Sequence, residues 1–395
     1  MRIALFLTKG ATMKAISIYV HIPFCVKKCA YCDFVSYKLS DYENTLGIER
    51  YMNALYQEIE LNRSVLEDAI ISTIYIGGGT PSSIPGHHIH TLINTLKGIS
   101  RFSDHIEITI EVNPGTLDDS KINHYLSSGI NRVSMGLQTT NDQLLTNIGR
   151  IHNTNDFISS YEALRRAGFR NISLDLMFGL PSQTLQDIHL AIDLIKSLKP
   201  EHVSAYSLKI EEGTPLYEKH QKGQISLPDE AVEREMYHTI IEQLAELDIH
   251  QYELSNFSKT GYESKHNLVY WENRPYLGLG VSAHSKVNQT RRSNLNQINA
   301  YIEQLEMIKL PIDESVVIDE KEDLFETIML GLRLNQGIDI ATLERRYEIH
   351  FEQKYASQIK KLKENGLIVY SEGRLCLTTL GKDLANMVFV EFLDV

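Results

Sequence analysis

The fold turns on one stretch of the chain, Ile18-Tyr19-Val20-His21-Ile22-Pro23-Phe24-Cys25-Val26-Lys27-Lys28-Cys29-Ala30-Tyr31-Cys32-Asp33-Phe34. Its first five residues read as a β-strand, and they run straight into a cysteine loop. The chain has four cysteines in 395 residues, and three of them fall in this one loop. Random placement would cluster them so tightly only a few times in a thousand, roughly. A disulfide scaffold does not suit a large, cysteine-poor chain. Zinc wants a closed tetrahedron, usually from two pairs of ligands, and no second pair exists. Three thiolates on a tight loop suit an iron–sulfur cluster better, because its soft irons prefer sulfur. Three ligands for a four-iron cube leave one iron open, and an open metal position is where another molecule can bind and react. The fourth thiol, Cys376, lies in Gly373-Arg374-Leu375-Cys376-Leu377 and reads as a small hydrophobe on a strand.

The composition suits such a protein. Hydrophobic residues make up 43% and charged residues 23%, which leaves ample material for a core and excludes a disordered chain or a disulfide-dependent mini-protein. Thirty-nine basic residues against 51 acidic ones give a net charge of −12, a poor match for non-specific nucleic-acid binding. No run approaches a membrane span, and the apolar start Ile3–Leu7 is too short for a signal-peptide core. A cytoplasmic protein is expected.

Around the cysteine loop, short apolar runs alternate with helical patterns. Strands are expected at Ile18–Ile22, Thr73–Ile76, Ile106–Val112, Arg132–Leu137, Asn171–Met177 and His202–Leu208. Tyr51, Leu55 and Ile59 repeat at helical spacing within Glu49–Arg63. Further helices are expected at Phe157–Ala167, closed by Gly168, and at Leu185–Leu198, closed by Lys199-Pro200. Such repeats argue for parallel strands joined by right-handed crossovers, in a doubly wound sheet or an open barrel. The C-terminal pattern differs: helices at Ile340–Tyr347 and Ala356–Asn365, strands at Leu367–Tyr370 and Leu375–Thr378, and a last helix at Leu384–Phe392. Helix, helix, hairpin is a winged-helix pattern. From Asp339 onward eight Lys/Arg face nine Asp/Glu, so the module reads as a packing or partner-binding unit rather than a DNA reader.

In open α/β folds ligands gather at the carboxyl ends of parallel strands. The second strand runs into Gly77-Gly78-Gly79-Thr80-Pro81, where glycines let backbone approach a ligand. The third ends in Glu111-Val112-Asn113-Pro114, and a buried Glu there needs water or a ligand hydroxyl as partner. Gln138 ends the fourth, Asp175 lies in the fifth, and Arg150 follows a connecting segment. Together they offer one cation for a carboxylate, with acceptors and amides for a ribose and a base.

Cys-x3-Cys-x2-Cys with an aromatic before the last cysteine resembles the signature of radical S-adenosylmethionine (SAM) enzymes. The wider string from Tyr19 to Phe34 is similar to the oxygen-independent coproporphyrinogen III oxidase branch, and within it to a family of haem chaperones. The resemblance covers the chain from Tyr19 to the C-terminal module. It implies an α/β fold: an open (β/α)6 partial barrel, a linking segment and a small winged-helix-like C-terminal module. The expected divisions are an N-terminal extension 1–16, a core 17–245, a linking segment 246–310 and a C-terminal unit 311–395. It further implies a 4Fe-4S cluster on Cys25, Cys29 and Cys32, with SAM held by Tyr19, Gly78, Gly79, Thr80, Glu111, Gln138, Arg150 and Asp175. In that family SAM chelates the open iron, and an electron from the cluster breaks its sulfonium–C5′ bond.

The oxidase itself shows a further cysteine two residues after the triad, where this chain has Phe34, and a longer segment ahead of the cluster than the residues preceding Cys25. Both departures weigh against decarboxylation. Downstream, His266-Asn267-Leu268-Val269-Tyr270-Trp271 holds the single tryptophan of the chain. A neutral imidazole ligates haem iron and aromatics pack on a porphyrin face. The string matches a His-Asn-x-x-Tyr-Trp motif associated with haem in the chaperone family, so His266, Asn267, Tyr270 and Trp271 are the expected haem residues. His284, in Gly278-Leu279-Gly280-Val281-Ser282-Ala283-His284-Ser285, is the second ligand candidate, and Ser282 stands there in place of a family glycine. The implied partners are haem, haem-acceptor proteins and an electron donor where SAM is cleaved, with no nucleic acid. The alternative is a radical SAM enzyme of the coproporphyrinogen oxidase type.

Overall fold

The structure, a computed structural model, describes residues 14–43 and 47–393. Ile3–Leu7 and most of the expected N-terminal extension lie outside the described residues. Six parallel strands form the centre in chain order: β1 (Lys14–Ile22), β2 (Ala69–Gly78), β3 (Arg101–Val112), β4 (Arg132–Gln138), β5 (Ile172–Phe178) and β6 (His202–Ser207). Each pairs with its successor, as consecutive right-handed crossovers require. The connecting helices are set by their caps. Asn153 and Asp156 form a capping box on Thr154–Ala167, which ends on Gly168 at φ +105°. Thr184 and Asp187 do the same for Leu185–Leu198.

The strands are amphipathic in an unusual sense. One face of each is apolar and packs beneath helices: Ile18 and Val20, Ile74 and Ile76, Ile108 and Ile110, Val133 and Met135 are all buried in one cluster. The opposite face is polar and turns inward. On β4 it carries Arg132, Ser134, Gly136 and Gln138, all of which line the central cavity. Period-two alternation therefore separates core from interior, where in a common antiparallel sheet it separates core from solvent.

The sheet does not stop at six strands. Beyond β6 lie β7 (His250–Glu253) and β8 (Asn256–Ser258), with β8 antiparallel to β6. Beyond β1 come β9 (Tyr276–Leu279), parallel to it, then the antiparallel β10 (His284–Val287), β11 (Thr290–Asn294) and β12 (Ile312–Val317). The result is one open twelve-stranded sheet whose edges, β7 and β12, do not meet. Much of 246–310, read from sequence as a linking segment, extends the sheet at both edges. Its strands are only three to five residues long, too short for a period to mark them.

Buried polar groups tie these extensions down. Glu58 accepts hydrogen bonds from Gly280 N–H (2.7 Å), Asn294 Nδ2 (2.6 Å) and Tyr301 O–H (2.6 Å). Lys286 on β10 meets Asp323 at 2.7 Å and Glu326 at 3.0 Å, joining the sheet to the next unit. A second core begins at Leu324 and runs to Phe392. It holds a three-stranded sheet of Ile338–Asp339, Arg374–Leu377 and Ile368–Ser371 under the helices Ile340–Tyr347, Ala356–Glu364 and Ala385–Glu391. Cys376 is half-buried there, and its thiol donates to Gln336 O at 3.4 Å. No helix among the described residues is long and apolar enough to cross a membrane.

Candidate functional site

The cysteine loop leaves β1 at Ile22 and is pinned at both ends. Tyr37 N–H donates to Pro23 O and Leu39 N–H to Cys25 O, each at 2.7 Å, in a two-rung parallel ladder. Its tip is held by Ala30, whose N–H donates to Ile148 O and whose carbonyl accepts from Leu216 N–H, both at 2.9 Å. Lys28 Nζ caps Phe34 O at 2.9 Å. These bonds turn Cys25, Cys29 and Cys32 onto the wall of one cavity of about 420 Å³ at the carboxyl end of the strands. None of the three is in a disulfide. Burial pushes the Cys25 thiol up, and pushes Cys32 up to about 11.

Gly78, Gly79, Thr80, Glu111, Gln138, Arg150 and Asp175 line the same cavity. Thr80 Oγ1 donates to Cys25 Sγ at 3.4 Å. Arg150 Nη1 points at Cys29 Sγ (3.7 Å), while its Nη2 donates to Asn113 Oδ1 (2.5 Å) and Gly136 O (3.2 Å). Glycine at 136 leaves room for this: a Cβ would stand 2.8 Å from Arg150 Nη2 and 2.6 Å from Gln138 Nε2, so one of the two side chains would have to shift. Gly78, at φ +112°, donates its N–H to Glu111 Oε2 at 3.2 Å, and Tyr75 O–H donates to Oε1 at 2.8 Å. Burial pushes the Glu111 carboxyl up to about 7, and the nearby Asp175 adds to that. Burial likewise raises Asp175 to about 6 against the hydroxyls of Ser204 and Ser134.

The leftover donors test whether a cluster and SAM suit this cavity. Three soft thiols share the wall with one another, and the buried Arg150 Nε has no partner among the described residues. The same guanidinium reaches Cys29 through Nη1, and the buried carboxyls of Glu111 and Asp175 line the same cavity. That set matches an iron–sulfur cluster beside a zwitterion carrying ribose hydroxyls.

Tyr19 stands apart from the other expected SAM residues. It lies deeper on β1, stacked on Tyr75 with ring centroids 6.3 Å apart, and lines a neighbouring cavity of about 400 Å³. The haem motif lies on the other side of Tyr75. Lys265–Trp271 is a short helix set against the barrel interior, its first N–H groups bonded to the buried Glu107. His266 is buried, with Nδ1 2.7 Å from Thr73 Oγ1 and Nε2 2.9 Å from Tyr270 O–H. Both ring nitrogens are engaged. Burial lowers its pKa to about 3, and Arg132 adds to this. Trp271 faces away, under the Arg333 guanidinium at 4.3 Å. Asn267 reaches the cysteine cavity, whereas Tyr270 lines the neighbouring one. In this structure the motif forms a plug, with the His266 ring held by Thr73 and Tyr270.

The radical SAM superfamily model matches residues 19–195, and the HemN C-terminal domain model matches 318–384. The heme chaperone HemW of Bacillus subtilis is 39% identical over 378 residues, covering 95% of this chain and 99% of that protein. The chain belongs to the HemW family. HemW of Lactococcus lactis is 35% identical over 377 residues, covering 95% and 97% of the two chains. Among solved structures, the coproporphyrinogen III oxidase HemN of Escherichia coli overlays with a TM-score of 0.84 at 22% identity, over 96% of this chain and 90% of that one. That likeness shows a shared fold. Membership of the radical SAM superfamily brings a 4Fe-4S cluster and SAM as cofactors.

In this HemW-family chain the sequence reading passed over Asn113, which holds Arg150, and Arg132, which is fully buried yet lines the cysteine cavity. The signal for Arg132 was present: it shares the inward parity of Ser134, Gly136 and Gln138 on β4. It was missed because an arginine opening a strand reads as a surface residue.

Proposed function

We propose that this protein is a haem chaperone that binds haem and passes it to acceptor proteins, carrying a 4Fe-4S cluster on Cys25, Cys29 and Cys32 with SAM beside it. The observation that supports it most is the convergence of three unpaired thiols, Arg150 and Glu111 on one cavity. In this reading the thiols hold three irons and leave the fourth for SAM. Arg150, positioned by Asn113 and Gly136, offers its guanidinium to the SAM carboxylate, a charge-assisted contact. Glu111 and Asp175 accept from hydroxyl or ammonium donors, and Gly78 and Gly79 bring bare backbone to the ligand. Thr80 steadies Cys25 through its hydroxyl. When bound, the pair supplies one-electron reductive chemistry at the sulfonium, which requires an electron donor. The names of the relatives support haem as cargo, and three unpaired soft thiols support a cytoplasmic setting.

The test is anaerobic reconstitution followed by iron analysis, haem titration and a coproporphyrinogen assay on one sample. About four irons per chain are expected, with haem bound and no decarboxylation. Cys25→Ala, Cys29→Ala or Cys32→Ala should lose the cluster, and Cys376→Ala should keep it. Cluster loss in a folded Cys376→Ala variant, or robust SAM-dependent decarboxylation by the native protein, would overturn the reading.

A further inference from the structure

Away from the cysteine cavity, two helices bring metal-ligand side chains together at their first turns. The helix Gly47–Leu61 carries Glu49, and the helix Gly86–Ile99 carries His87 and His88. The first follows the cysteine loop in the chain, and the second follows the loop of Gly78, Gly79 and Thr80. Tyr56 O–H donates to His88 O at 3.3 Å and holds the start of the second helix against the first. His88 is buried, with Nε2 3.4 Å from Glu49 Oε1. His87 is exposed, and its ring lies beside that of His88 with centroids 4.1 Å apart. One ligand atom from each of the three groups falls within 4.8 Å of the others.

Those separations fit an ion. Ligand atoms about 2.0–2.2 Å from a tetrahedral zinc stand roughly 3.3–3.6 Å from one another. Glu49 and His88 already have that spacing. The exposed side chains of Glu49 and His87 can swing to close the rest, while burial holds His88 in place. The donor set also chooses among ions. Two imidazoles and one carboxylate suit zinc and its neighbours, whereas calcium and magnesium take oxygen. Charge decides what Glu49 contributes. Two helix N-termini carry positive partial charge that turns a cation away, and the carboxylate offsets it. His90, on the same helix as His87 and His88, is differently placed: its Nδ1 lies 3.0 Å from Ser128 Oγ and its Nε2 2.8 Å from Asn94 Nδ2.

We propose that Glu49, His87 and His88 form a binding site for a zinc-class divalent ion, with water in the fourth position. Bound there, the ion bridges the helix after the cysteine loop and the helix after the glycine loop. It therefore steadies two walls of the cysteine cavity from outside that cavity, which none of its three ligands lines.

Zinc titration of the cluster-loaded protein by anaerobic calorimetry, with zinc K-edge absorption of the loaded sample, tests this. About one zinc per chain is expected, with nitrogen and oxygen at about 2.0–2.2 Å and no sulfur at about 2.3 Å. Glu49→Gln and His87→Ala alter exposed side chains, so the thermal melt of the zinc-free protein should not move. Each should weaken zinc binding at least about tenfold, since losing even a ligand's hydrogen-bond partner costs that much at a metal site. His90→Ala should keep the wild-type affinity. No zinc bound, zinc held by sulfur, wild-type affinity in both ligand variants, or an equal loss in His90→Ala would overturn the site.

Discussion

The cysteine cavity and the His266 plug are built from the same kinds of residue, and they end in opposite states. At the plug the imidazole and the helix start are answered from within, with Thr73 and Tyr270 on the ring and Glu107 on the first N–H groups, and only the Trp271 indole N–H at its far end is left over. At the cysteine cavity the thiols are in no disulfide, Arg150 keeps a buried N–H without a partner, and burial raises two carboxyls to about 7 and about 6. Buried polar groups are normally satisfied. A closed set of bonds marks structure, and an open set marks a place for something else.

The strongest way to break that contrast is to remove the cavity's cation. Arg150→Ala should weaken SAM binding to the reconstituted protein by about 1.5–3 kcal/mol, the range for a charge-assisted contact. Glu111→Ala should weaken it by a similar or smaller amount. Isothermal titration reads both, and unchanged affinity in the two variants would mean that the open groups serve some other ligand.

The plug should respond in the opposite currency, stability rather than binding. His266→Ala leaves the Tyr270 hydroxyl without its partner in a buried place and Thr73 with Ser17 alone, so unfolding free energy should drop by about 1–3 kcal/mol. Iron content and SAM affinity of the folded fraction should stay at wild-type values. Lost cluster with unchanged stability would reverse the roles assigned to the two regions.

How much of this was legible beforehand follows from which interactions are local. Strand and helix positions were readable because period and caps are written in neighbours: Leu185–Leu198 was expected with the bounds it has, and its Thr184 and Asp187 cap lies just ahead of its first turn. The cluster residues were readable because Cys25, Cys29 and Cys32 share one loop. The burial of His266 was not legible, because its partner Thr73 lies 193 residues away and a motif does not state what faces it. The extra strands of 246–310 were unreadable for a related reason. Runs of three to five residues such as Asn256–Ser258 and Thr290–Asn294 carry too little period to register, and they become strands only because β6 and β10 offer an edge.

The smallest effect tests the cavity's carboxyls through pH. Glu111 sits at about 7 chiefly because it is buried, and Asp175 at about 6 for the same reason. Both folded values lie above the unfolded ones, so between about pH 4.5 and 7 the folded protein without ligand binds more protons than the unfolded chain. Its stability should therefore fall as pH rises across that window. Binding should run the other way, because hydroxyl and ammonium donors bond more strongly to an ionised carboxylate. If only the ionised form of Glu111 binds SAM, affinity should rise about tenfold from pH 6 to pH 8, the change in its ionised fraction. The α-amino group of SAM titrates at roughly 7.7–8 by analogy with other α-amino groups, so the wild type alone cannot isolate Glu111. Glu111→Gln separates the two: it should remove the part of the rise that belongs to Glu111 and leave the lower step from Asp175 and the upper one from the ligand's own amine. Calorimetry in buffers of different ionisation enthalpy should show proton release on SAM binding near pH 6.5 in the wild type and less in the variant. A pH-independent affinity in the wild type would mean that neither carboxyl meets the ligand, and that their raised values reflect burial alone.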